Sequence, residues 1–144
     1  MQCNIPSVLE EQPPLSWNRL EPWTLTPSLL VLAGSALGGL ARFWLGIVVT
    51  ALAGPNFPWG TLLINVLGSF AIGLTATFAD VRSTELRAFV MVGLCGGFTT
   101  FSSFSLQSLE LLQQERPLAA FAYMGGSVAS CLVAAWAGCT LGRA

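Results

Sequence analysis

Four long apolar runs separated by short polar stretches dominate the chain. The first extends from Ser28 to Ala53 and carries a single charge, Arg42. A turn-forming stretch, Gly54-Pro55-Asn56-Phe57-Pro58, leads into the second, Trp59 to Ala79. A charged linker with Asp80, Arg82, Glu85 and Arg87 precedes the third, Ala88 to Leu109. Glu110, Glu115, Arg116 and Pro117 close that run, and Leu118 to Leu141 form the fourth. Each exceeds the roughly 20 residues that a helix needs to cross the hydrocarbon core. Backbone groups in lipid must be paired within their own segment, which requires helices and excludes isolated strands. The pattern predicts an all-α integral membrane protein with four transmembrane helices, at about 28–53, 59–79, 88–109 and 118–141. They make a single four-helix transmembrane domain over residues 27–144.

Composition agrees. Of 144 residues, 53% are hydrophobic and 9% charged, against about 25% charged in ordinary soluble domains. Too few charges remain to cover a water-facing surface, so lipid must cover the rest. The net charge of −1 provides no basic patch for nucleic acid. With no histidine, the usual neutral-pH proton shuttle is missing. Cys3, Cys95, Cys131 and Cys139 have no metal-ligand spacing, and the last three, in apolar segments, read as reduced buried thiols. Residues 1–26 are polar and proline-rich and lack the positive start of a secretory signal. They read as a tail, with Trp17 and Trp23 suited to the headgroup level; a true start further downstream is the alternative. Arginines at 19, 82, 87 and 143 against Arg116 alone favour cytoplasmic termini.

Polar residues inside the runs carry the functional signal, because lipid penalises them. Arg42 sits near the middle of the first span, where it either bonds backbone carbonyls or raises anion concentration at a pore mouth. Thr61, Asn65, Ser69 and Gly73 recur every four residues and so share a helix face. They can glue helices together or line a path with hydrogen-bond donors. In the third span, Gly96-Gly97 and Thr99-Thr100 disfavour a regular helix and predict a break at Gly96–Thr100. Freed carbonyls there suit a hard cation. Phe101 and Phe104, three apart, share a face as core packing or as an edge-on anion contact. Tyr123, Ser127 and Cys131 form a second stripe on the fourth span, while Gly125, Gly126, Ser130 and Gly138 permit tight helix contacts on other faces.

Gly38-Gly39-Leu40-Ala41-Arg42, Trp59-Gly60-Thr61-Leu62-Leu63-Ile64-Asn65-Val66-Leu67-Gly68-Ser69-Phe70 and Gly93-Leu94-Cys95-Gly96-Gly97-Phe98-Thr99-Thr100-Phe101-Ser102-Ser103-Phe104 together resemble the CrcB family of microbial fluoride channels. The resemblance runs from about Gly34 to the end of the fourth span. It implies a fluoride-specific channel in the cell membrane that passively exports fluoride and reduces its toxicity. It further implies an antiparallel dual-topology dimer, with a structural sodium ion on the two-fold axis held by the carbonyls of Gly96 and Thr99. By position, the fluoride pathway falls on Asn65, Phe101, Phe104, Thr61, Tyr123, Ser127 and Arg42. Cys131 stands where some relatives have serine. The arginine bias sits poorly with dual insertion, so a heterodimer with an oppositely oriented homologue is the alternative to a homodimer.

The principal rival, a small proton-coupled multidrug exporter, needs a titratable carboxylate within the membrane, and all seven acids lie at span ends, in linkers or in the tail. A non-transporting scaffold is the second rival. An enzyme is the least supported, because no base, nucleophile pair or metal cluster converges.

Overall fold

A computed structural model describes residues 22–77 and 84–143. The expectations for Trp17, Asp80 and Arg82 lie outside the described residues. Six helices and one π-helical stretch follow in order: α1 (Pro22–Ala53), α2 (Trp59–Thr75), α3 (Thr84–Arg87), the π-helical stretch (Ala88–Cys95), α4 (Gly96–Phe98), α5 (Phe101–Gln113) and α6 (Pro117–Leu141). No strand occurs among the described residues.

Among the described residues, three stretches are long and apolar enough to cross a membrane: Leu25–Ala53, Glu85–Gln113 and Pro117–Leu141. The shorter α2, with 17 residues, rises about 25 Å at 1.5 Å per residue. It ends at Thr75, before the expected Ala79, while α1 begins at Pro22, six residues before the expected Ser28. Large apolar side chains along α1, among them Leu29, Leu32, Leu40, Phe43 and Trp44, stay exposed. Such a surface needs a lipid cover. This is the architecture of a multi-pass membrane protein.

The α1 helix lies against the π-helical stretch, α4 and α2, while α6 packs along α2 and α5. Close backbone approach sets the first contact. A Cβ on Gly97 would lie 2.7 Å from the Ser35 carbonyl oxygen of α1, and one on Gly38 would lie 2.8 Å from the Phe98 nitrogen. Across the bundle, Gly138 of α6 abuts Phe70 and Leu74 of α2. Within one chain Gly125 and Gly126 are exposed with open space around them.

The break in the third span is shorter and later than expected. Gly96, Gly97 and Phe98 are helical, and only Thr99 and Thr100 are extended. At Gly97, the glycine permits helix crowding and does not unwind the chain. The irregularity instead reaches backwards, where Ala88–Cys95 is wound as a π-helix and the Gly96 N–H reaches the Met91 carbonyl. Among the cysteines, Cys95 and Cys131 are free thiols. The thiol reading fails at Cys139, which is disulfide-bonded.

Candidate functional site

Extended backbone inside an apolar bundle strands N–H and carbonyl groups that must find partners. At Thr99 (φ −80°, ψ 158°) and Thr100 (φ −151°, ψ 115°), side chains from α1 and α2 supply them. Asn65 donates its Nδ2–H to the Thr100 carbonyl at 3.1 Å and accepts the Thr100 N–H at 2.8 Å on Oδ1. The Arg42 Nη1 donates to the Thr99 carbonyl at 3.2 Å. The Thr99 N–H and hydroxyl both turn back to the Cys95 carbonyl, each at 3.0 Å. The Thr100 hydroxyl accepts the Ser103 N–H at 3.2 Å and so caps α5. Gly68 makes room for the whole arrangement, because the Thr99 methyl fills the space a Cβ would occupy.

A cavity of about 380 Å³ opens beside the break. Asn65 and Ser69 of α2 line it with Thr99, Thr100, Phe101, Phe104, Ser127 and Cys131. Here four of the expected pathway residues meet: Asn65, Phe101, Phe104 and Ser127. The Ser127 hydroxyl is buried, and its oxygen has no hydrogen-bond partner. Buried polar atoms without partners are rare in native proteins, and each calls for an explanation.

The other three expected pathway residues lie elsewhere. Arg42 gives one N–H to the Thr99 carbonyl and so makes the backbone contact that was one of its two sequence readings. Tyr123 is only 1% exposed and sits in a cluster with Leu111, Ala120, Phe57 and Phe104. Its hydroxyl donates to Gln107 Oε1 at 3.0 Å. The aromatic rings run on from the cavity toward this cluster: Phe101 to Phe104 at 5.3 Å between centroids, and Phe104 to Tyr123 at 5.3 Å. Phe101 begins this row 77% exposed. Thus the cavity and the Tyr123 cluster are neighbouring compartments that share Phe104.

Sequence reasoning overlooked Gln107 and Phe57. Gln107 continues the three-residue spacing of Phe101 and Phe104 along α5, a signal present in the sequence. Phe57 lies in a proline-flanked turn, where no periodicity marks it.

The break also bears on cation binding. In a continuous helix the Thr100 N–H would close onto the Gly96 carbonyl, but it goes to Asn65. The Gly96 oxygen therefore loses the partner that a continuous helix would give it. The Thr99 carbonyl keeps a second lone pair beside the one facing Arg42. Among the described residues no group of three or more His, Cys, Asp or Glu could hold a metal. Neutral carbonyl oxygens are the donors on offer, and they suit a hard cation.

A sequence model of the family described as CrcB-like protein, Camphor Resistance (CrcB), matches residues 29–139. A protein of Paramagnetospirillum magneticum named fluoride-specific ion channel FluC is 54% identical over 114 residues, covering 76% of this chain and 89% of its own length. The similarly named protein of Methylocella silvestris is 52% identical over 115 residues, covering 76% and 88%. That of Rhizobium meliloti is 45% identical over 119 residues, covering 81% and 95%.

Proposed function

This chain belongs to the CrcB-like family, whose members are ion channels and not enzymes, and we propose from that premise that it is a fluoride-specific channel which passively exports fluoride from the cytoplasm. The reading is carried by the Ser127 hydroxyl, buried without a partner on a cavity that Asn65, Phe101 and Phe104 also line.

Fluoride is small and strongly hydrated, so a passage must replace its water with donors. Ser127 has an O–H to give. One Nδ2–H of Asn65 goes to Thr100, and the amide has a second. The rings of Phe101 and Phe104 add electropositive edges. Beyond the cavity, Tyr123 and Thr61 extend the run of hydroxyls, and Arg42 draws anions toward the mouth. Fluoride that entered as the neutral acid ionises in the cytoplasm and leaves down its gradient through the plasma membrane, which reduces toxicity.

A dimer completes the reading. Phe101, with three quarters of its surface uncovered at the edge of the cavity, calls for a second subunit. An antiparallel homodimer would bring two breaks together, and the carbonyls of Gly96 and Thr99 from each copy would hold a structural sodium ion. That ion would tie the two extended segments together electrostatically. A heterodimer with an oppositely inserted homologue suits the arginine bias better. Reactivity of Arg116→Cys from one face or both faces of intact cells separates the two arrangements.

The proposal is tested by growth. A fluoride-sensitive bacterium without its own exporter should grow in fluoride when it expresses this chain, and unchanged sensitivity would count against the assignment.

A further inference from the structure

The five-residue connection between α1 and α2 is fixed at every step. Gly54 takes the left-handed conformation (φ 81°) and returns its N–H to the Thr50 carbonyl at 2.9 Å, ending α1. The Asn56 carbonyl accepts from Arg116 Nη1 at 2.7 Å, which latches this loop to the one between α5 and α6. Pro58 (φ −79°, ψ 57°) lies at the centre of a three-residue turn closed by the Trp59 N–H on the Phe57 carbonyl at 2.8 Å. These are the values of an inverse γ-turn. A surface loop needs none of this rigidity merely to join two helices.

The loop presents one side chain inward. The Phe57 ring meets the Tyr123 ring edge to face, at 5.5 Å and 84°, and lies tilted by 48° against Trp59 at 4.6 Å. Phe104 holds the same tyrosine from the cavity side at 5.3 Å. With both neighbours in place, the phenol can turn little, and its hydroxyl stays on Gln107. We infer that Phe57 is a positioning residue for the Tyr123 hydroxyl, and through it for fluoride passage at the loop end of the pathway. The second half of this statement rests on the channel reading above; the first does not.

Tyr123 is the chain's single tyrosine, so its Raman doublet, which reports the hydrogen bonding of the phenol, can be read without overlap from another tyrosine. Phe57→Ala is expected to shift that doublet and lower fluoride efflux from proteoliposomes by about tenfold. Phe57→Trp, which keeps an aromatic ring, restores both, and Arg116→Gln moves both in the same direction by less. In a Tyr123→Phe background, where no hydroxyl remains to be placed, Phe57→Ala should have no further effect on flux. If Phe57→Ala does not fold, Phe57→Leu keeps most of the volume, loses the ring and is read in the same way. An unmoved doublet overturns the inference, and so does an undiminished effect of Phe57→Ala in the Tyr123→Phe background. Were the wild-type chain to pass no fluoride, the channel reading would fall, while the Raman comparison would still decide whether Phe57 places Tyr123.

Discussion

Asn65 holds Thr100 by both ends of its amide, giving one N–H to the backbone carbonyl and taking the backbone N–H in return. A single side chain thus does for one residue what a helix turn would otherwise do. It joins the middle of α2 to the break between α4 and α5 while lining the cavity. Asn65→Asp keeps the shape and the acceptor but sets a carboxylate against the Thr100 carbonyl. Losing that donor and facing the carbonyl with a second acceptor costs roughly 3 kcal/mol. Fluoride flux should drop about a hundredfold, measured by efflux on protein that still elutes as an assembled species.

Ser127→Ala separates function from stability. The native hydroxyl is buried without a partner, so removing it should leave stability unchanged or raise it by up to about 1 kcal/mol. Flux should fall all the same, because a donor is lost from the cavity wall. Thermal melts paired with efflux check this. A variant that is both less stable and fully conducting would contradict it.

Arg42 has two possible contributions, and ionic strength distinguishes them. Attraction of anions to a pore mouth is screened over about 10 Å at 0.1 M salt, whereas the bond to the Thr99 carbonyl is not lost that way. Arg42→Gln should reduce flux by roughly fivefold in dilute salt, about 1 kcal/mol. The part of the deficit that persists in concentrated sodium gluconate measures the Thr99 contact.

If the Gly96 and Thr99 carbonyls hold sodium between two copies, the assembly is linked to sodium concentration. At a hundred times the dissociation constant, the ion contributes about 2.7 kcal/mol. Exchanging sodium for N-methylglucamine should then lower the melting midpoint and disable flux slowly. A midpoint indifferent to sodium would remove the ion from the account.

The sequence made the helices legible because lipid leaves few choices: apolar length alone placed α6 to within a residue of its observed start. The stripe from Thr61 to Gly73 was legible for a similar reason, since helical spacing fixes a shared face. The break was only half legible. Paired glycines and paired threonines announce irregular backbone, yet only the threonines unwind. What decides between them is tertiary: Gly97 is needed where Ser35 crowds it, and Asn65 is placed to receive Thr100. Neither neighbour is visible from the local sequence. The π-helical winding of Ala88–Cys95 was hidden as well, because its bonds differ from those of an α-helix by a single residue of register. Tyr123 read as a continuation of its stripe, but the Phe57 ring packed against it comes from a turn.

The central claim is that donors gathered beside an interrupted helix let fluoride, and not larger anions, cross the bilayer. It is tested most directly by ion-selective electrodes on proteoliposomes loaded with equal fluoride and chloride. The account predicts rapid loss of fluoride with chloride retained, and Phe101→Ile or Asn65→Asp silencing the fluoride signal. Efflux of both halides together, or of neither, would contradict it.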